Sequence, residues 1–345
     1  MWQEQTIICI TIELSNMQKL KIGVLGASNH FIKRVVLPVM QLDNVELYGI
    51  ASRSDIKAQE VAKEFSIANH YGSYEALLAD SNIDAVYIPL PNHMHAEWIK
   101  KSADAGKHIL CEKPLCMNTA EAEDVLEYTQ RKGVALTEAF MYKFHPQWQF
   151  VRDVIRTNNI GKINYIHTSF SYNNPSPNNI RNILEYGGGA IRDIGCYAIS
   201  VPRFILDKEP DQVVSHVTKH PDFKTDMLSS ALLDFGGTRA SLHVGTASDG
   251  YQKVDIVGTA GNIIVHLPFN TYSDVPAKVT VTTGIGVREV SFDPVDQYGL
   301  MFEAFADSII NKKPLPFTTD DAILNQKVMD AVFRSASTKG WELVD

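Results

Sequence analysis

From Lys19 to about Thr137 the sequence alternates short apolar runs with amphipathic stretches, a pattern that few folds accommodate. Residues 21–25, 45–51, 85–89, 108–111 and 134–138 read as buried strands. Between them, 56–65, 74–78, 96–105 and 119–131 carry helical periodicity, and Gly106 and Gly133 stand where glycines end helices. This alternation predicts an α/β domain built on a doubly wound parallel sheet of Rossmann type, with helices on both faces.

After residue 140 the rhythm changes. A short helix at 147–157 is followed by strands at 163–172, 212–218, 229–233, 239–244, 252–258, 261–267 and 277–283. Helices at 298–311 and 320–338 close the chain. The expected organisation has three parts. Residues 1–18 form an extension outside the fold, and 19–140 a dinucleotide-binding Rossmann domain. Residues 141–345 form an α+β domain for substrate binding and oligomerisation, with a mostly antiparallel open sheet.

The 345 residues suit two domains, and 45% apolar with 21% charged residues is ordinary for a soluble protein. A formal net charge of −8 argues against gripping phosphate backbones, so a small molecule and not a nucleic acid is the expected partner. Cys9, Cys111, Cys116 and Cys196 match neither a metal-ligand spacing nor a disulfide framework, which suits a reducing, cytoplasmic setting. No apolar run approaches the ~18 residues of a membrane span. The stretch 6–14 lacks the basic flank and cleavage site of a signal peptide, and Glu4 and Glu13 flank or interrupt it.

The first strand runs into Gly26-Ala27-Ser28-Asn29-His30-Phe31. Dinucleotide-binding turns use G-x-G-x-x-G/A for a tight turn, close approach to the pyrophosphate and close helix packing. Gly26 fits; Ser28 is small and could donate to a phosphate, with Asn29 beside it; Phe31 implies looser helix packing. At the end of the second strand, where an NAD enzyme carries a carboxylate, stand Ser52 and Arg53, with Lys57 one turn on. Arg53 can pair bidentately with a 2′-phosphate and Lys57 adds a point charge, so NADP is expected in preference to NAD. The plainer alternative for Arg53 is a solvated residue at a helix start.

Two further segments point to chemistry. An apolar strand ends in Glu112-Lys113-Pro114, which would place Lys113 at the crevice where ligands of such sheets bind. In Gly187-Gly188-Gly189-Ala190-Ile191-Arg192-Asp193-Ile194-Gly195-Cys196-Tyr197, a helix from Ala190 would set Asp193 and Tyr197 on one face. A tyrosine on an amphipathic helix is usually a core residue, but here it has a lysine and an aspartate as companions. His93 and His95 lack a third ligand at metal spacing, so no metal is expected.

With these residues in view, the chain from Lys19 onward resembles the Gfo/Idh/MocA oxidoreductases, the family of glucose–fructose oxidoreductase and inositol dehydrogenase. The likeness rests on Glu112-Lys113-Pro114, on Pro89-Leu90-Pro91-Asn92-x-x-His95, on Glu138-Ala139-Phe140-Met141-Tyr142-x-x-His145-Pro146 and on the glycine-rich Asp193/Tyr197 segment. Tyr197, where many relatives have histidine, is similar to the branch of dimeric dihydrodiol dehydrogenase, xylose dehydrogenase and deoxysugar 3-ketoreductases, which tends to use NADP. The resemblance implies Tyr197 as general acid/base with Lys113 as its electrostatic partner. It also implies Pro89, Leu90, Pro91, Asn92, His95 and Glu112 along the cofactor, and Tyr298 near the nicotinamide. It further implies a homo-oligomer, a homodimer or homotetramer.

A free tyrosine, with pKa about 10, is a poor base near neutrality, and a nearby ammonium would favour its phenolate. Asp193 could bind a substrate hydroxyl or position the lysine. Tyr142, Asn178 and Arg181 are candidate substrate residues. The expected activity is hydride transfer between a nicotinamide and a sugar, keto-sugar or cyclic diol. A non-redox enzyme that borrows hydride transiently from bound NAD, or a dinucleotide sensor, are the alternatives. Retention of Lys113, Asp193 and Tyr197 argues against a sensor.

Overall fold

The computed structural model describes residues 18–345; the proposed extension and Cys9 lie largely or wholly outside them. The N-terminal half forms a six-stranded sheet of β1 (Leu20–Leu25), β2 (Val45–Ala51), β3 (Asn69–Tyr71), β4 (Ala85–Ile88), β5 (His108–Cys111) and β6 (Leu136–Glu138). The order is β3-β2-β1-β4-β5-β6, and every pairing is parallel. Helices α1 (Val36–Met40), α2 (Asp55–Glu64), α3 (Tyr74–Leu78), α4 (His95–Asp104) and α5 (Thr119–Lys132) connect the strands. This is the doubly wound Rossmann sheet that the alternation predicts. Strand β3 was not anticipated: Asn69-His70-Tyr71 is three residues long, lies at the sheet edge and carries no apolar run.

After α6 (Pro146–Arg156) comes a nine-stranded sheet ordered β14-β13-β12-β11-β7-β10-β9-β8-β15. Its strands are β7 (Ile163–Asn173), β8 (Gln212–Lys219), β9 (Asp226–Asp234), β10 (Arg239–Gly245), β11 (Ala247–Gly258), β12 (Gly261–Val265), β13 (Ala277–Thr283), β14 (Gly286–Phe292) and β15 (Glu342–Leu343). All pairings are antiparallel except β7 with β10. Alternation along these strands sends Ile166, Phe170, Leu242, Val254 and Ile256 into the core. The opposite face carries a polar row beside exposed Tyr165 and Leu228. There His167 hydrogen-bonds Ser241 and Ser169, at 2.9 Å each, and Ser230 meets His243 at 2.7 Å.

Helix α7 (Cys196–Leu206) packs under this sheet, α8 (Gln297–Ile310) returns to the first half, and α9 (Thr319–Thr338) bridges β8 of the second sheet to α5 and β6 of the first. Phe302 of α8 meets the edge of Tyr87 on β4, ring centroids 5.1 Å apart. Thr119 at the start of α5 donates through its hydroxyl to Asp330 of α9 at 2.6 Å. One hydrophobic core therefore runs through both sheets. Among the described residues no helix is long and apolar enough to cross a membrane.

Candidate active site

Strand order reverses between β1 and β4, and in such sheets ligands bind outside the carboxyl ends of the strands at that switch point. The loops that meet there hold most of the predicted residues. Gly26 leaves β1 at φ +124°, and a Cβ on it would stand 3.0 Å from Leu90 Cδ2, so the turn both needs glycine and packs on the loop after β4. The Ser28 hydroxyl accepts from the Phe31 amide at 3.1 Å, which leaves its own proton free to donate. The helix that follows is widened into a π segment over Phe31–Val35, with Phe31 buried where a dinucleotide turn would have its third small residue.

At the end of β2, Ser54 caps α2 through a hydrogen bond from the Lys57 amide, and Ser52 accepts from Ser54 at 3.2 Å. Arg53 and Lys57 are exposed on that helix start. Neither forms an ion pair among the described residues. Two unpaired cations beside a helix N-terminus suit an anion such as a 2′-phosphate. This arrangement and the tight Gly26 turn fit a phosphorylated dinucleotide.

The catalytic candidates converge on the other side of the switch point. Lys113 Nζ donates to the Asp193 carbonyl at 2.7 Å and to its Oδ1 at 3.3 Å. Oδ2 of Asp193 accepts from the Tyr172 hydroxyl at 2.5 Å and from Arg181 Nε at 2.9 Å. Burial alone would raise this carboxyl, but Arg181, Lys113 and Tyr172 override it and hold Asp193 well below the usual carboxylate range. Lys113, desolvated yet paired with Asp193, stays an ammonium. Asp193 lies in a π segment, Ile191–Gly195, a wider turn than the α-helix expected there.

Tyr197, on the following α7, differs from expectation. Lys113 Nζ lies 4.9 Å from its ring centroid, over the face and not at the hydroxyl. The hydroxyl contacts Met141 Sδ at 3.4 Å, and the ring packs on Phe140, Phe170 and Phe269. Burial pushes the phenol well up, reinforced by Tyr298 and Glu112. The lysine charge is spent on Asp193, so Tyr197 is a neutral phenol and not a stabilised phenolate.

A model described as "oxidoreductase family, NAD-binding Rossmann fold" (Gfo/Idh/MocA) matches residues 20–140, and one described as the "GFO/IDH/MocA C-terminal domain" matches 148–264. The chain belongs to the Gfo/Idh/MocA oxidoreductase family. It is similar to D-xylose 1-dehydrogenase (NADP(+)) 2 of Haloferax volcanii, at 35% identity over 92% of this chain and 97% of that one. It is also similar to a dTDP-3,4-didehydro-2,6-dideoxy-α-D-glucose 3-reductase of Saccharopolyspora spinosa, 31% identical over 84% and 87% of the two chains. A crystal structure of a 3-ketoreductase from Actinomadura kijaniata, in complex with NADP and TDP-benzene, superposes with TM-score 0.87 and 28% identity, covering 92% and 98%.

Within this Gfo/Idh/MocA fold, several predicted residues take other places. Tyr142 is fully buried and its hydroxyl meets Ser200 at 2.8 Å, which makes it a core residue and not a substrate contact. Asn178 is exposed on the loop after β7 and makes no hydrogen bond with Lys113, Asp193 or Tyr197. His95 is buried, its ring nitrogens 2.9 Å from the carbonyls of Pro114 and Leu90, so it ties the loop after β4 to the Glu-Lys-Pro turn from behind. Asn92 donates to the Gly187 carbonyl at 3.0 Å and thereby joins the two halves across the crevice.

Three residues of the oxidoreductase site were not anticipated. Tyr172 reaches Asp193 from the end of β7, which only pairing across the fold reveals. Asp226 accepts from the Ile191 amide at 2.6 Å and anchors the helix start. A Cβ on Gly189 would stand 1.9 Å from Asp226 Oδ1, and Gly189 has φ +121°, so the glycine run makes room for this carboxylate. His30, the third, lies in the first turn, its Nε2 3.4 Å from Glu112 Oε1. Among the described residues no three His, Cys, Asp or Glu side chains gather as a metal site would require.

Proposed function

We propose that the protein is an NADP-preferring dehydrogenase or reductase acting on a sugar, keto-sugar or cyclic diol. The observation that carries this reading is the Lys113 ammonium, locked on Asp193 at the crevice and stacked on Tyr197. The relatives' NADP and sugar or keto-sugar substrates support it.

When bound, the nicotinamide supplies or accepts a hydride. Lys113 polarises the carbonyl oxygen of the substrate, since ammonium donors aimed at a developing alkoxide stabilise it most in a dry site. Tyr197 supplies the proton that the alkoxide needs. Its present partner is a thioether, a weak acceptor that is easily left for a substrate oxygen. A neutral phenol suits the reductive direction; oxidation requires the same proton to be returned to it. Asp193, ionised and held from three sides, orients Lys113 and can accept from a neighbouring substrate hydroxyl. The domain division at residue 140 and a homodimer or homotetramer belong to the same proposal. A monomeric mass at micromolar concentration would contradict the oligomer.

The deciding test is fluorescence titration of cofactor-stripped protein with NADPH and NADH. NADPH is expected to bind more tightly, and Arg53→Asp should weaken NADPH by about a hundredfold, the effect of losing a charged pair and gaining a repulsion, while barely altering NADH. Equal loss for both cofactors would remove the 2′-phosphate clamp. Binding of neither would overturn the cofactor reading.

A further inference from the structure

His30 carries an unexplained polar atom. Its Nε2 is shielded from solvent without an ideal hydrogen bond, yet points at Glu112 Oε1, 3.4 Å away. Its ring meets Tyr298 edge-on, centroids 5.4 Å apart, and its side chain remains 31% exposed. Glu112 also accepts from the Tyr87 hydroxyl at 2.6 Å and from the Lys113 amide at 3.3 Å. The dinucleotide would run across this switch point with its adenosine toward Arg53, just after β2. Its other end would then lie on the β4–β5 side, which is the side His30 faces.

We infer that His30 is a positioning residue of the nicotinamide end of the site and that, through Glu112, it sets the relative affinity for oxidised and reduced cofactor. The inference rests on the cofactor reading above. The oxidised nicotinamide ring carries a positive charge and the reduced ring none. A free Glu112 carboxylate attracts the oxidised form; an imidazolium at His30 cancels that attraction and adds repulsion. Neutral imidazole restores it.

The other groups facing His30 keep their charge across the pH range of the test below. Glu112 would be raised by burial, but His30, Lys113 and Tyr87 bring it down to about 2, and with a neutral imidazole Lys113 and Tyr87 still favour its carboxylate. Lys113 stays an ammonium, and Tyr87 and Tyr298 stay phenols. Arg34, on the same helix, and Asp296, before α8, act on Tyr298 with opposite signs. The 2′-phosphate and pyrophosphate are common to both cofactor forms and cancel in their ratio.

The experiment measures dissociation constants of the full chain for NADP+ and NADPH, by calorimetry and fluorescence. The ratio of the NADP+ constant to the NADPH constant should fall about tenfold between about pH 5.5 and about pH 8.5, the scale of one charge acting across a partly exposed site. His30→Gln should flatten this ratio while both cofactors still bind, and His30→Lys should fix it at the low-pH value. A flat ratio in the wild type overturns the inference without requiring either variant. An unchanged slope in His30→Gln overturns it as well. Binding of neither cofactor by the wild type removes the underlying reading, and this inference with it.

Discussion

Replacing Lys113 with methionine is expected to lower kcat for an identified sugar substrate by about a thousandfold, while NADPH affinity changes only a few-fold. The side chain keeps most of its length and loses its charge, so the loss measures the ammonium's work on the substrate oxygen; one oxyanion donor is typically worth ~10²–10³ in kcat. Asp193 retains Tyr172 and Arg181 in the variant, so its carboxylate is not stranded. Tyr197→Phe should cost about 10²–10⁴, the usual span for a positioned proton donor. The pair acts on one oxygen, so the double variant should lose much less than the product of the single losses. Full activity in Lys113→Met, or in Tyr197→Phe, would remove that residue from the chemistry. Steady-state kinetics with pre-equilibrated cofactor separates the two constants.

Asp321→Ala should destabilise the fold by ~3–5 kcal/mol, the cost of stranding buried partners of a broken ion pair. Asp321 accepts from the buried Lys143 ammonium and from Arg203 Nη2, the latter at 3.0 Å. Arg203 in turn binds Glu209, at 2.9 Å, and Asn325, at 3.1 Å. The Lys143 ammonium also lies 4.9–5.6 Å from the ring centres of Phe317, Phe140 and Phe204. Burial favours its neutral form, so the charge depends on Asp321. Although burial opposes it, Lys143 and Arg203 hold the Asp321 carboxyl below its ordinary 3.8. A depressed carboxyl contributes its stability above the unfolded value and loses it as the pH falls through the folded one. Chemical denaturation at neutral and acidic pH should therefore show the wild-type advantage over Asp321→Ala shrinking toward low pH. A midpoint shift that stays the same at every pH would contradict that assignment.

The parallel sheet was legible because β1, β2, β4 and β5 are nearly uninterrupted apolar runs, as strands buried on both faces must be. The same logic misses Asn69–Tyr71 and Gly286–Phe292, short or polar edge strands whose partners, not their own composition, make them strands. Lys113 and Asp193 could be paired in advance because each sits in a conspicuous local segment. Tyr172 could not, since its hydroxyl is brought to Asp193 by strand pairing between distant residues. Tyr142 misled for the opposite reason: it borders a recognisable segment, yet its side chain turns into the core. The charge on Lys113 was legible, but its direction was not. That depends on the π turn carrying Asp193, and no local sequence pattern announces such a turn.

Helices α8 and α9 give this chain an awkward birth order. The last two helices supply cover for the first half: Phe302 seals Tyr87, and Thr319 and Asp330 clasp β6 and the start of α5. On the ribosome, β1 to β6 emerge long before that cover exists. The nascent Rossmann sheet must wait with one flank bare while the whole nine-stranded sheet is synthesised. Its native closure thus waits for α8 and α9, and a Rossmann sheet made without them would keep that flank bare.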